Sequence, residues 1–305
     1  MNRQPSRREF HALAGAGCLA AGSRLTAARP GGREPFRLNY LLATCMYGYQ
    51  PLAGILPETT ACGAAAIDIW PRVHGNQREQ LDEMGAEVFA ELLQQHQTRL
   101  GCITRFDLGP WGLQEEMKLA RSLGCQTLVT GARGPAGRKG DELKSAVRQF
   151  AEQLKPQCAA AGQAGVVLAI ENHTSTLLDS PDALRWFAEL APGQAAIALA
   201  PYHLPQDPGQ LADLIRDTGN RLEVFYAWQY GMGCRDPLPP DQQRLQLPGR
   251  GDLDFGPLIA ALRETGFAGW TEIFMHPVPR GDSIAGSIAA VTDEIRQARQ
   301  YLESV

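Results

Sequence analysis

The sequence reads Val-Val-Leu-Ala-Ile-Glu-Asn-His at residues 166–173. An apolar run without alternation predicts a strand buried on both faces, as in a parallel sheet covered by helices. Such sheets carry their active sites at the carboxyl ends of the strands, where Glu171 lies. A second run, Gly-Trp-Thr-Glu-Ile-Phe-Met-His-Pro at 269–277, places Glu272 in the same way. The two runs predict a pair of carboxylates at one mouth of an enzyme.

The rest of the chain repeats the alternation of a short apolar run and a longer amphipathic run. Eight strands are predicted, at Phe36–Thr44, Ala66–Trp70, Leu100–Phe106, Thr127–Thr130, Val166–Ile170, Ala195–Ala200, Leu222–Trp228 and Gly269–Phe274. Helices are predicted at Leu52–Ala65, Gln77–Arg99, Leu113–Leu123, Asp141–Ala161, Ser180–Ala191, Pro208–Thr218, Gly256–Thr265 and Ser287–Leu302. Eight parallel units of about 30 residues predict a single (β/α)8 TIM barrel over residues 36–305.

An open doubly wound sheet is the alternative to the barrel. It would be favoured by a glycine-rich phosphate turn after the first strand. The sequence there, Ala-Thr-Cys-Met-Tyr-Gly at 43–48, has no such turn. The long connection Gly231–Gly251 is interpreted as an active-site loop rather than a domain boundary.

Charge and composition limit the possible partners. The 305 residues are 44% hydrophobic and 20% charged, which is typical of a globular protein. The net charge is −4, and the first 30 residues contribute +4, so the remaining chain carries −8. A chain with this net negative charge after residue 30 is a poor partner for nucleic acid, whose backbone is also negatively charged. No segment has the roughly 18 consecutive apolar residues of a transmembrane helix.

Residues 1–30 are predicted to be a targeting segment. Ser6-Arg7-Arg8-Glu9-Phe10 resembles the twin-arginine export signal, and an Ala/Gly-rich stretch and small residues near Ala27 follow it. The resemblance implies passage through the twin-arginine export machinery to a periplasmic or other extracytoplasmic location. A basic tail without a targeting role is the alternative. None of the seven cysteines forms a Cys-x-x-Cys pair, so neither a thiolate zinc site nor a redox motif is predicted.

Polar side chains collect at the predicted strand ends and in the loops after them. Four of the six histidines lie there, whereas a random distribution would place more of them on helices. The candidate substrate-binding residues are His173, His203, Arg133, Trp228, Gln229, His276 and Arg280. Because side chains alternate along a strand, Glu171 and His173 share one side, as do Glu272, Phe274 and His276. The two glutamates are expected to act as acid and base or to hold a divalent metal, unless each forms a structural pair.

The chain resembles the xylose isomerase-like family of sugar isomerases and epimerases over residues 36–303. The resemblance rests on the barrel pattern and on three motifs: Ile-Glu-Asn-His at 170–173, Pro-Gly-x-Gly-x-Leu-Asp-Phe at 248–255 and Gly-x-x-Glu at 269–272. It implies that Glu171 and Glu272 bind a divalent metal (Mn, Mg, Co or Zn) and exchange a proton with the substrate carbon.

Two further metal ligands implied by the resemblance are missing. The family's sixth strand ends in Asp-x-x-His, but residues 200–203 read Ala-Pro-Tyr-His. Its seventh strand supplies a histidine, but residues 225–229 read Phe-Tyr-Ala-Trp-Gln. The resemblance therefore implies an altered or weakened metal site, because a hard divalent cation prefers about six donors.

Three functions fit these observations. In the first, a sugar isomerase or epimerase moves a proton with Glu171 and Glu272, and His203, Arg133 or Arg280 stabilises the enediolate. In the second, a barrel without metal binds carbohydrate without catalysis, and Trp70, Trp228 and Trp270 stack on sugar faces. The third, an endonuclease of the same superfamily, is disfavoured by the acidic charge.

Overall fold

The computed structural model describes residues 35–305. Eight parallel strands form a closed barrel in chain order. They are β1 Asn39–Ala43, β2 Ala66–Ile69, β3 Leu100–Thr104, β4 Thr127–Gly131, β5 Val167–Glu171, β6 Ala195–Leu199, β7 Leu222–Ala227 and β8 Trp270–Ile273. Each of the eight agrees with a predicted strand to within a few residues, and the (β/α)8 barrel predicted from the repeat is confirmed.

Helices connect the strands and cover the outside of the barrel. They are α1 Leu52–Ile55, α2 Glu58–Ala61, α3 Gln77–Met84, α4 Ala86–Gln95, α5 Gln114–Ser122, α6 Gly140–Ala164, α7 Pro181–Leu190, α8 Pro208–Thr218, α9 Pro240–Gln243, α10 Gly256–Glu264 and α11 Ile288–Ser304. Among residues 35–305, no helix is long and apolar enough to cross a membrane.

Two predicted helices are divided in the structure. The helix predicted over residues 52–65 forms as α1 and α2, and Pro57 stands between them as the N-cap of α2. The helix predicted over residues 77–99 is interrupted at Gly85, whose φ of 83° lies in the region that favours glycine. The predicted loop Gly231–Gly251 contains the short helix α9 and a 3-10 turn at Arg244–Gln246.

The strands are apolar along nearly their whole length because both faces are covered. Within β5, Leu168, Ala169 and Ile170 have no exposed surface. Six cysteines of the described chain are buried and unpaired, so they behave as small core side chains. The targeting segment predicted at residues 1–30 lies outside the described residues.

Candidate active site

A cavity of about 80 Å³ opens at the carboxyl ends of the strands. It is lined by Trp70, His74, Phe106, Glu171, His173, His203, Trp228, Cys234, His276 and Arg280. Six of the nine predicted site residues therefore meet there, and Glu171 is the one carboxyl side chain among the lining residues of the described chain. A larger depression of about 610 Å³ lies between the loops after β1, β7 and β8, and none of the predicted site residues lines it.

Glu171 ends β5 and is 5% exposed. Burial, assisted by the nearby charge of Asp68, raises the pKa of Glu171 to about 8. His203 Nε2 lies 4.0 Å from its Oε1. A carboxyl group with a pKa near neutrality is suited to accept and return a proton, because the two forms are close in free energy.

Four histidines surround the mouth of the cavity in two pairs. The ring centroids of His173 and His203 are 4.0 Å apart, and those of His74 and His276 are 4.3 Å apart. Burial lowers the pKa of all four, to about 4 for His74 and about 2 for His203. The imidazoles are therefore neutral near pH 7, and each can donate one hydrogen bond and accept another.

Glu272 lies deeper in the barrel than Glu171. It is on β8, has no exposed surface, and within residues 35–305 neither carboxyl oxygen has a hydrogen-bond partner. Burial, followed by the charges of Asp68 and Glu171, raises the pKa of Glu272 well above its usual range. A carboxyl group in such surroundings retains its proton at neutral pH.

An aromatic layer, defined here as Trp70, Tyr226, Trp228 and Phe274, packs beside Glu272, whose register partner is Tyr226. The Phe274 ring stacks on Trp70 at a centroid distance of 5.0 Å, and it contacts Trp228 at 5.0 Å and Tyr226 at 5.4 Å. All four side chains are at most 3% exposed. Glu272 does not line the cavity. Of the two glutamates predicted as an acid–base pair, Glu171 lines the cavity and Glu272 does not, although the charge of Glu171 still acts on Glu272.

Asp68 is a third acid of the site that sequence reasoning did not select. It lies on β2 without exposed surface, and its Oδ2 accepts a hydrogen bond of 2.6 Å from Thr104 Oγ1. Burial raises the pKa of Asp68 to about 7. The sequence feature that could have identified Asp68 is its position as an acid inside an otherwise apolar strand. Its direction depended on register, and the pairing of β2 with β3 shifts at this point.

Two predicted substrate-binding residues lie away from the cavity. Arg133 lines a neighbouring pocket of about 200 Å³ and donates to the Leu108 carbonyl at 3.2 Å. The Gln229 amide is buried, donates to the Leu247 carbonyl at 2.7 Å and accepts from the Leu253 amide at 2.8 Å. Gln229 therefore stabilises the long loop after β7.

Arg280 and Trp228 line the cavity and also contact the loops that surround it. One Nη of Arg280 donates to the Cys234 carbonyl at 2.9 Å, which ties the loop after β8 to the loop after β7. The Trp228 ring stacks on Tyr202 at 4.0 Å, and its Nε1 donates to Gln246 at 3.0 Å. Both side chains are held in place before any ligand arrives.

The residues of the site do not fit the divalent metal that the resemblance implies. Ala200 offers a methyl group where a carboxylate is expected. In the seventh strand, Tyr226 is the register partner of Glu272, where the resemblance implies a histidine ligand from this strand. Over residues 35–305, no group of three or more His, Cys, Asp or Glu side chains is arranged to hold a metal ion.

Comparison with known proteins agrees with the fold. The family model described as xylose isomerase-like TIM barrel matches residues 57–304. A solved structure of the IolI protein with a zinc atom superposes with a TM-score of 0.66 at 15% identity, covering 88% of this chain and 98% of that one. No curated protein sequence gives a significant match.

Two further structures show the range of activities named on this fold. A D-psicose 3-epimerase determined in the presence of D-fructose has a TM-score of 0.65 at 14% identity, with 88% and 99% of the two chains covered. The probable 3-DHS dehydratase AsbF of Bacillus anthracis has a TM-score of 0.62 at 12% identity, with 87% and 99% covered. At these identities the structures show the fold alone, whereas the family model covers most of the chain. This chain belongs to the xylose isomerase-like TIM barrel family.

Proposed function

We propose that this barrel is an isomerase of a small sugar or sugar derivative, in which Glu171 carries a proton between adjacent carbons. The observation that carries the proposal is the position of Glu171 on the cavity wall, with a pKa of about 8 and His203 beside it. A general base works best when its pKa is near the pH of the reaction. Similarity to sugar epimerases in the same family supports the substrate class.

The geometry favours isomerisation over epimerisation. Epimerisation removes a proton from one face of a carbon and returns a proton to the other face, so it needs an acid–base group on each side. Isomerisation through a cis-enediol needs one group, which moves the proton along a single face. Glu171 lines the cavity, whereas Glu272 does not line it and has no exposed surface.

The other residues of the cavity have positioning and electrostatic roles in this proposal. A neutral His203 or His173 donates a hydrogen bond to the substrate carbonyl as negative charge develops on its oxygen. Arg280 adds a permanent positive charge at the rim, while the faces of Trp70 and Trp228 pack against carbon-bound hydrogens. In another protein, an apolar cavity of about 150 Å³ holds benzene, so the 80 Å³ here accommodates a short substrate or the reactive end of a longer one.

A carbohydrate-binding barrel without catalysis is the second candidate. It is favoured by the sealed position of Glu272, which removes one of the two acids predicted to flank the substrate carbon. The aromatic rings and imidazoles of the cavity could bind a sugar without moving a proton.

Deuterium exchange distinguishes the two candidates. The protein is incubated in D2O with a panel of three- to six-carbon aldoses, ketoses and sugar acids, and proton NMR follows the carbon-bound hydrogens. The proposal expects deuterium at the carbon next to the carbonyl and a 10²- to 10⁴-fold slower exchange in Glu171→Gln. Ligand-induced shifts in the protein spectrum without any exchange would support the binding barrel instead.

The proposal also includes the partners of the chain, which are the export machinery and a small carbohydrate substrate. A twin-arginine signal at Arg7 and Arg8 would send the barrel through the export machinery to an extracytoplasmic compartment, where its substrate is a small carbohydrate. The acidic body supports the absence of a nucleic-acid partner.

A further inference from the structure

The inner chamber, defined here as the side chains of Asp68, Trp70, Tyr226 and Glu272, adjoins the cavity through Trp70, and its other three side chains are buried and do not line the cavity. Tyr226 and Glu272 are register partners on β7 and β8, so their side chains leave the sheet on the same side. Trp70 and Asp68 lie close enough to Glu272 to alter its ionisation. Counting partners within residues 35–305, Asp68 Oδ1, Trp70 Nε1, Tyr226 Oη and both Glu272 oxygens make no hydrogen bond.

The polar atoms of the inner chamber match one another better than they match a cation. Trp70 offers one N–H and Tyr226 one O–H; the protonated Glu272 carboxyl accepts through its carbonyl oxygen and has its own O–H to donate, for which Asp68 is the neighbouring acceptor. The indole nitrogen has no lone pair in the ring plane to give to a metal. Buried polar groups require partners, and these side chains are one another's neighbours: Trp70 lies beside both Glu272 and Asp68, and Tyr226 is the register partner of Glu272.

The surroundings of the inner chamber also oppose a cation shared by the two glutamates. The Phe274 ring is 1% exposed and packs against Trp70, Trp228 and Tyr226. Glu272 has no exposed surface and does not line the cavity, so a metal bound by both glutamates would have to enter closely packed surroundings. At the end of β6, Asn172 fixes the backbone of Ala200 through two hydrogen bonds of 2.7 and 3.0 Å, and the methyl group offers no donor atom.

We propose that the inner chamber is a metal-free hydrogen-bonding pocket, in which the Tyr226 hydroxyl and the Trp70 indole N–H bind the Glu272 carboxyl in place of a divalent cation. This goes beyond the proposed function and does not depend on it. A barrel that only binds carbohydrate would have the same chamber.

The test uses tag-free protein, because a histidine tag binds metals itself. The protein is dialysed against Mn²⁺, Co²⁺ or Zn²⁺, its metal content is measured by mass spectrometry, and its melting temperature is compared with that in EDTA. The proposal expects no stoichiometric metal and no shift. One equivalent of metal with a rise of about 5 °C, both lost in Glu272→Gln, would overturn it. One equivalent of metal retained by Glu272→Gln would contradict this expectation as well, because an amide oxygen can also bind a cation.

A gain-of-function variant tests the physical cause. Ala200→Asp combined with Tyr226→His supplies the two missing donors, and Co²⁺ bound to them is detected by its visible absorption. Cobalt binding by the double variant but not by the wild type supports the proposal. A folded double variant that gains no cobalt would contradict the roles given to Ala200 and Tyr226. Where that variant does not fold, the comparison of the wild type with Glu272→Gln decides alone. Both measurements detect bound metal rather than turnover. Their results can therefore be interpreted even if the protein has no isomerase activity.

Discussion

Glu171 and Glu272 carry the same chemical group, but their surroundings give them different chemistry. Glu171 lines a cavity beside His203, whereas Glu272 is fully buried next to Asp68. The alternation of side chains and the strand ends predicted that Glu171 and Glu272 lie at one mouth of the barrel. They could not predict how far each carboxyl group lies from that mouth. That distance depends on the packing of the Phe274 ring, which contacts three side chains from the ends of two other strands, β2 and β7.

The activity is expected to depend on pH through Glu171. The group acts as a base only after losing its proton, and its pKa is about 8. We therefore expect kcat/KM to rise about tenfold per pH unit from pH 6 and to level off above pH 8. The profile is measured with the substrate identified by deuterium exchange, with circular dichroism at each pH as the control for folding. A flat profile between pH 6 and 9 would remove Glu171 as the base.

Replacement of Glu272 by glutamine is expected to stabilise the protein at alkaline pH. The folded-state pKa of Glu272 is raised, so its proton is retained in the folded protein while the unfolded chain loses it. Stability therefore falls as the pH rises above about 4.3, the carboxyl pKa of the unfolded chain. A neutral amide avoids this loss, so the stability of Glu272→Gln should exceed that of the wild type at pH 8, and the difference should be smaller at pH 5.

Urea unfolding at the two pH values measures this difference. The exposed Glu91 gives a matched control, since Glu91→Gln alters the same chemical group without burial. If Glu272→Gln were less stable than the wild type at pH 8, the carboxylate would have a stabilising partner, and the metal-free chamber would be in doubt as well.

At the scale of elements, the ends of β5 and β6 are joined by one buried side chain. Asn172 Oδ1 accepts from the Ala200 amide at 2.7 Å, and its Nδ2 donates to the Ala200 carbonyl at 3.0 Å. The residue before it is Glu171, and the turn after Ala200 carries His203. Asn172 thus fixes the distance between the proposed base and its neighbouring imidazole.

Asn172→Ala should therefore lower both stability and activity. The buried Ala200 amide loses its partner, which costs about 1–3 kcal/mol, while the Ala200 carbonyl keeps the hydrogen bond from the His203 amide at 3.2 Å. Chemical unfolding measures the loss, and the exposed Asn220→Ala is the matched control. Deuterium exchange at a temperature where both variants are folded should slow at least tenfold in Asn172→Ala, because small displacements of catalytic groups are costly. Unchanged exchange would limit Asn172 to a role in stability.

Sequence patterns predicted the elements more completely than their ends and loops. Apolar runs such as Val166–Ile170 identify buried strands because both faces of each strand are covered. The break at Gly85 was missed because apolar spacing continues across it, and only the backbone angle shows the interruption. Arg133 and Gln229 were assigned from their positions after strands, but a loop's path cannot be obtained from periodicity.

At the scale of the whole molecule, repeat number and chain length predicted the closed barrel, since eight βα units of this size have few other arrangements. The site was predictable to the extent that barrel closure brings strand ends together, which assembled Glu171, His173, His203 and His276 around one cavity. Packing across the barrel determines how deeply Glu272 is buried, how Asp68 contributes to the site and how the aromatic layer forms. The sequence of a single strand does not contain that information.

Export of the whole chain is a prediction that depends on residues 1–30 rather than on the barrel. Arg7 and Arg8 form the pair that resembles the twin-arginine signal. Lysine keeps the positive charge but lacks the planar guanidinium that a specific receptor can read. Replacing both arginines by lysine should therefore hold the precursor in the cytoplasm, as measured by cell fractionation and immunoblotting. Arg24 and Arg29 provide the control, because lysine at these positions changes the same residue type outside the motif. Equal export of the two variants would show that general basicity, rather than a twin-arginine signal, governs the destination of this barrel.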